Sequence, residues 1–356
     1  MASIPLELPS IDFYYDFLKK TLFYISCERK LYCVHVEQDN LYLPSLVPKD
    51  STVARGFCDT LQVNSVLLDG PENLLCVVGS AENVFVGSTS GTIFQVDKSS
   101  GETVSQWGFE NKKDDAAVVL KSWNNMLVVG YDSGRVRLWD TRQARKPAYS
   151  YRGHEDSVTD ITVREPRDTL DLTTVLSSGG EGTVSVFELR KSSSPIVTES
   201  VQDEITCLSW IKNDSILVCG TLEGDLMMFE WRLWDQLLDN CKGHPDAIGD
   251  MCSVDNDTLL TGSDDGLLRL VSIHPNKMIG VVGLPFELPI EKIALDPISK
   301  TLVCSSHDCF ITCFDASCLY EKDTSTDNMK DVSHSKGKKR KAAAGQETIS
   351  SFFEDL

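Results

Sequence analysis

Long hydrophobic runs are missing from this chain. No apolar stretch reaches the roughly 18 residues that a membrane helix needs, so no membrane span is expected. The N-terminal run MASIPLELPSIDFYYDF carries acids and no basic leader, which argues against a secretory signal. Paired cysteines are missing too. The 12 cysteines include no C-x-x-C, and most stand singly inside apolar strands, as Cys76, Cys219, Cys304 and Cys313 do. They read as small buried hydrophobes in a reducing compartment. His307, Cys309 and Cys313 lie close together, but alternate strand positions explain them better than a zinc site, which wants paired, close-spaced ligands. No phosphate-cradling glycine loop and no nucleophile–base–orienter trio can be picked out. We therefore expect no catalytic residues, no cofactor, no metal and no enzyme. Basic residues are scarce: 34 Lys and Arg stand against 53 Asp and Glu, a formal net charge of −19. From Glu321 onward the two signs balance at seven each, so the whole excess falls on the body before it. Such a body repels phosphate backbones and attracts basic proteins, so direct nucleic-acid binding is not expected of it.

What the chain does have is a repeat. An apolar strand, a tight turn and a second apolar strand recur as VFVGSTSGTIFQVD, MLVVGYDSGRVRLWD, TVLSSGGEGTVSVFEL, ILVCGTLEGDLMMFEW, TLLTGSDDGLLRLVSI and TLVCSSHDCFITCFDA. The turn residues are Gly91, Gly134, Gly182, Gly224, Gly266 and Cys309, at steps of 43, 48, 42, 42 and 43 residues. A weaker copy, LFYISCERKLYCVHV, puts Lys30 in that slot. Seven copies at a period near forty predict an all-β fold, a seven-bladed β-propeller. Ser-Gly and Asp-Gly supply the positive φ that such hairpins require. The first segment, IPLELPSIDFYYDFLKK, offers two strands. The region Ile4–Leu8 is expected to close the ring against Leu302–Asp315, with Pro5 and Pro9 suiting an outer strand that has one unpaired side.

The blades resemble WD repeats. Gly153-His154 and Gly243-His244 look like the Gly-His pairs that precede a blade's second strand, and Trp139-Asp140 looks like the terminal Trp-Asp. The His, Ser or Thr, Asp and Trp set of such blades is whole in none: Glu181 and Phe187 stand in after His154, and Val271 stands for Trp after His244. These histidines read as structural donors. Closer still, GSDDGLLRLVSI, HPNKMIGVVG, ELPIEKIAL and SSHD resemble the WD repeat-containing protein 55 family. Cys309 and the extra segment Leu41–Asn64 depart from its pattern. The resemblance implies a nuclear, nucleolar scaffold of ribosome biogenesis and rRNA processing that binds pre-ribosomal factors, monomeric within a larger complex. The expected division is residues 1–318 as propeller and 319–356 as a disordered tail.

Three surface motifs stand out. Lys338, Lys339, Arg340 and Lys341 follow a polar stretch with almost no apolar content, and such a cluster is readable by nuclear import receptors. Next, Gln346, Ile349, Phe352 and Phe353 fit Q-x-x-I-x-x-F-F, similar to the hook that binds the sliding clamp, proliferating cell nuclear antigen. One helical turn would gather Ile349, Phe352 and Phe353 into an apolar plug. Finally, Trp139, Asp140 and Arg142 make a W-D-x-R that resembles the motif by which WD-repeat receptors dock on the adaptor of cullin-type ubiquitin ligases. Arg142 would be the planar, bidentate donor.

Overall fold

Glycine decides where the hairpins fall. Gly91, Gly134, Gly182, Gly224 and Gly266 all adopt φ between 75° and 84°. At Gly134 a Cβ would also come to 2.2 Å from the His154 carbonyl oxygen, so no other residue fits there without shifting backbone. In the first copy the residue at this turn is Arg29, with φ 70°, and not Lys30. Its N–H donates to Ser26 O as that of Gly91 does to Ser88 O, and Lys30 instead opens the next strand. The slot of Cys309 lies outside the described residues.

The structure is a computed structural model. It describes residues 2–5, 10–26, 29–35, 56–57, 63–69, 72–108, 115–143, 146–167, 172–189, 194–282, 288–307 and 310–320. These form seven sheets, antiparallel but for one short pairing at the edge of the seventh, each running from an inner to an outer strand. Blade 1 runs Ser10–Asp16, Thr21–Ser26, Lys30–His35 and Val63–Asp69; blade 2 runs Leu74–Gly79, Asn83–Ser88, Ile93–Asp97 and Thr103–Trp107. Blade 3 comprises Ala117–Trp123, Met126–Tyr131, Arg135–Asp140 and Tyr149–Arg152; blade 4 comprises Val158–Arg164, Thr174–Gly179, Val184–Glu188 and the two-residue strand Ile196–Val197. Blade 5 is Ile205–Ile211, Ile216–Thr221, Asp225–Glu230 and Asp239–Lys242; blade 6 is Ile248–Ser253, Thr258–Ser263, Leu268–Ser272 and Lys277–Val282. Blade 7 takes Ile290–Asp296, Thr301–Ser306 and Phe310–Asp315 from the end of the chain and its fourth strand, Ala2–Pro5, from the start.

The ring closes against the last blade as expected, but through Ala2–Pro5, which shares only Ile4 and Pro5 with the expected Ile4–Leu8. Ala2 pairs with Cys313 and Pro5 with Phe310, and residues 6–8 lie outside the described residues. The outer side of that strand is not left wholly open. Gly56–Phe57, from the extra segment, pairs in parallel with Ala2 and Ser3. The core is not one mass but seven seams, each filled from two neighbouring blades. Phe23, Leu31, Leu74, Val77 and Val86 fill the seam between blades 1 and 2, and Phe13, Tyr24, Val303 and Ile311 fill that between 7 and 1. This nearest-neighbour burial is what repeat folds do, and it explains why each blade needs the next. Cys76, Cys207, Cys304 and Cys313 are buried in these seams. Burial drives their thiols up, so they stay protonated and act as small apolar groups.

Candidate partner-binding surfaces

The propeller has two faces. At one end the hairpin turns and the connections entering the same or the next blade bond to each other. The connection donates in His154 N–H to Gly134 O and Val201 N–H to Gly182 O, and the turn donates in Gly180 N–H to Ser157 O, Leu222 N–H to Glu204 O and Asp264 N–H to Ala247 O. Acids cluster there, beside Gly182, Gly224 and Gly266 and in the connections between blades. Asp132, Glu155, Asp156, Glu204, Glu223 and Asp246 are exposed over blades 3 to 6, with Glu181, Asp203, Asp264 and Asp265 half-buried among them. Partial burial and the neighbouring Asp246 push the carboxyl of Asp264 up, a sign of how closely like charges crowd.

Both Gly-His pairs lie on this face. They precede the innermost strand of blades 4 and 6, which corrects the expectation of a second strand, because each ends the crossing from the previous blade's outer edge. The His154 set is more complete than the sequence implied. Its Nδ1 meets Glu181 Oε1 at 2.7 Å and its Nε2 meets Ser177 Oγ at 2.8 Å, while Thr183 bonds Glu181. Phe187, in the Trp position, stacks on Tyr151 with ring centroids 4.4 Å apart. Burial pulls the imidazole below its ordinary pKa although Glu181 opposes this. His244 keeps only the strand contact, Nε2 to Thr261 Oγ1 at 2.8 Å. Asp265 turns instead to Arg269, at 2.9 and 2.5 Å. Burial and the nearby Arg269 lower His244 to about 4. Both rings are neutral structural groups at physiological pH.

Trp139 is 2% exposed and stacks on Trp107 with centroids 6.0 Å apart, so it packs the seam between blades 2 and 3 rather than facing a partner. Asp140 and Arg142 sit at the opposite face, where Thr141 N–H donates to Asn125 O. The Arg142 side chain is 67% exposed, and its guanidinium folds back onto Asp140, with Nε to Oδ1 at 3.0 Å and Nη2 to Oδ2 at 2.8 Å. These bonds hold the Asp140 carboxyl below its usual range. Lys338 to Lys341 and Gln346 to Phe353 lie outside the described residues.

One set of residues escaped the sequence reading. The inner strands line a central channel of about 790 Å³. Three of them carry an aspartate at a bulge. Asp12 accepts from Phe13 N–H (2.8 Å) and from Val77 N–H in the next blade (2.7 Å). Asp160 does the same with Ile161 (2.7 Å) and Leu208 (2.8 Å). Asp250 repeats it with Met251 and Ile293, both at 2.8 Å. Each carboxylate thus pins two blades together, at seams 1–2, 4–5 and 6–7. Lys292 of blade 7 also reaches Asp12, so that carboxylate ties three blades. Burial raises Asp160, and it raises Asp250 to about 7. The readable signal was the recurring SIDF, VTDI and IGDM, an acid just before an apolar residue at the same place in blades 1, 4 and 6.

These features define the class: a seven-bladed WD-repeat β-propeller. A WD domain, G-beta repeat model matches residues 235–272, from the outer strand of blade 5 through the third strand of blade 6. Solved structures agree on the fold. A chain of the mitotic checkpoint complex superposes with a TM-score of 0.70 at 14% identity, covering 88% of this chain and 90% of that one. The RRP9 WD40 repeats give 0.64 at 17% identity, covering 85% and 90%. Among curated proteins the chain is similar to WD repeat-containing protein 55, as the sequence indicated. It is 30% identical to the Dictyostelium discoideum homolog over 67% of this chain and 56% of that protein. It is 29% identical to the Arabidopsis thaliana protein over 65% and 64%. WD repeat-containing protein JIP5 of Cryptococcus neoformans is 32% identical over 55% and 52%. The chain thus spans about half to two-thirds of the length of these relatives.

Proposed function

We propose that this protein is a non-enzymatic, nuclear and nucleolar scaffold of ribosome assembly that holds lysine- and arginine-rich proteins on its acidic face. The similarity to WD repeat-containing protein 55 supports the setting, and the acidic crescent over blades 3 to 6 carries the chemistry. Fixed carboxylates of one sign raise the local concentration of a basic partner and speed its arrival, and they repel RNA phosphates. On this reading residues 1–318 form the platform and 319–356 an appended segment with an import signal at Lys338–Lys341. The test is affinity purification from nuclear extract with a quadruple variant, Asp132→Lys, Glu155→Lys, Glu204→Lys and Glu223→Lys. Pre-ribosomal proteins should be recovered with the wild type and lost with the variant. Equal recovery from both removes the acidic face from the reading, and recovery of no pre-ribosomal protein removes the ribosomal setting.

A second reading rests on Arg142. Its planar guanidinium is exposed and oriented by Asp140 at the end of a blade strand, which supports docking on a ligase adaptor. Co-purification of the adaptor that fails with Arg142→Ala supports it. Equal recovery with the variant, or none with the wild type, removes it.

A further inference from the structure

Exposed large apolar side chains are not spread evenly around the ring. Ile196 and Val197 lie on the outer edge of blade 4, at 53% and 47% exposure, and Leu233, Leu237 and Leu238 lie on the outer edge of blade 5. Two cavities meet between them. The smaller, about 170 Å³, has Met227, Phe229 and Trp234 for its floor and Leu237 at its side, with Glu199 and Asp235 on its rim. The larger, about 780 Å³, runs past Val197 to Arg152, Glu155 and Glu181. Ser200 lines both, so they form one groove with an apolar end and an acidic end. Glu155, Glu199 and Asp235 are exposed and make no ion pair among the described residues. Arg152 is the one basic residue lining the groove and forms no ion pair with them among the described residues. Its guanidinium donates to the carbonyls of His154 (3.2 Å) and Glu155 (3.3 Å), and its single charge leaves the acids in excess.

We infer that this groove receives an extended segment of a partner protein, with one aromatic side chain seated over Trp234 and lysines or arginines along the Glu155–Glu199 end. A cavity near 150 Å³ accepts a benzene ring, so the apolar end matches one aromatic anchor. Such anchors in closed apolar pockets concentrate interface energy, while the charged flank sets direction and arrival rate. Charge excludes two other occupants. A second copy of the chain would set the groove's acids against each other. The chain's own Phe352 and Phe353 are followed by Glu354 and Asp355, which would meet Glu199 and Asp235 with like sign. The inference goes beyond the ribosomal reading and holds for a partner from any process.

The test is random-peptide display on the full chain, followed by fluorescence anisotropy with the leading peptide, labelled, as the probe. Enriched sequences should carry Phe, Tyr or Trp with Lys or Arg a few residues away. Leu237→Glu should weaken the probe at least about tenfold, since it puts a charge at the anchor's pocket. Glu155→Lys with Glu199→Lys should weaken it and flatten its salt dependence. Ile298→Glu, at an 88% exposed site on blade 7, should change nothing. All three variants alter exposed side chains, and unchanged melting curves confirm that they fold. No enrichment, enrichment without the aromatic-plus-basic pattern, or binding indifferent to Leu237→Glu overturns the inference. Self-association of the wild type that Leu237→Glu abolishes overturns it as well, in favour of a second copy.

Discussion

Replacing Asp12 with alanine should loosen the ring at the point where three blades meet. The substitution strips the acceptor from Val77 N–H in the inner strand of blade 2 and from the Lys292 ammonium of blade 7. A buried N–H left without a partner costs about 1–3 kcal/mol. The ion pair adds less, about 1 kcal/mol at most, because the Lys292 side chain is 38% exposed and water screens it. The total is about 1–4 kcal/mol. Unfolding entropy scales at about 2 cal/mol/K per residue, so a propeller of some 300 residues should melt roughly 2–7 °C lower. Asp12→Asn keeps an acceptor for Val77 but puts an amide NH2 where Oδ1 accepted from Phe13 N–H and Lys292, and should show a smaller drop than alanine. Lys292→Met should cost no more than about 1 kcal/mol. The assay is thermal melting by near-ultraviolet circular dichroism at low and high salt, with the double variant closing the cycle. If Asp12→Ala melts within 1 °C of the wild type, the carboxylate pin is not a stabilising device. The reasoning for Asp160 and Asp250 then fails with it.

Deleting Ala2–Pro5 should leave the edge strand Phe310–Asp315 bare and drive concentration-dependent aggregation, measured by light scattering. A soluble deletion variant with the wild-type melting curve would refute closure as a requirement. His244 is held near 4 in the fold and sits near 6.5 when unfolded. The unfolded state therefore binds more protons between those values, and stability is lost as pH falls from about 7 to 4. In urea titrations His244→Gln should lose less stability than the wild type between pH 7.5 and 5, and parallel curves would contradict this. Converting Lys338, Lys339, Arg340 and Lys341 to alanine should shift a tagged protein toward the cytoplasm, and undiminished nuclear signal would place the address elsewhere. A peptide of residues 336–356 should bind the purified sliding clamp in the micromolar range and lose at least about 3 kcal/mol when Phe352 and Phe353 become alanine. No binding at high micromolar peptide would end the clamp reading.

The hairpins were legible because their constraint is local. A turn that needs positive φ selects glycine, and Gly91, Gly134, Gly182, Gly224 and Gly266 mark it in the sequence. Where a charged residue tolerates the same φ, as Arg29 does, the marker shifts by one and Lys30 looks equally good. Outer strands such as YSYR, IV and DNCK were not legible. They are short and half-wet, so they lack the apolar alternation of a buried strand. Non-local partners were invisible too. Nothing in Gly56-Phe57 announces a parallel pairing with Ala2-Ser3, and nothing in a W-D-x-R pattern shows that Arg142 is already bonded to Asp140. The groove between blades 4 and 5 draws Glu155, Val197, Ser200 and Trp234 from separate strands and loops, so only the packed ring puts them side by side.

The seventh blade has a consequence for how the protein is made. Of the strands of the ring, its fourth is translated before all the others and its third after them, since Ala2 must wait for Cys313. At about 5–20 residues per second that delay is about 15–60 s. Blades 2 to 6 can stack in order as they appear, each on its predecessor, while Ala2–Pro5 stays an unpaired apolar edge. Gly56-Phe57 arrives early in this interval and can lie beside Ala2-Ser3 long before the true partner exists. The extra segment would then serve as a temporary cover for the sticky end of an unfinished ring. Closing a loop of this length makes the last step slow, so the nascent chain is most exposed to wrong pairing when nearly complete.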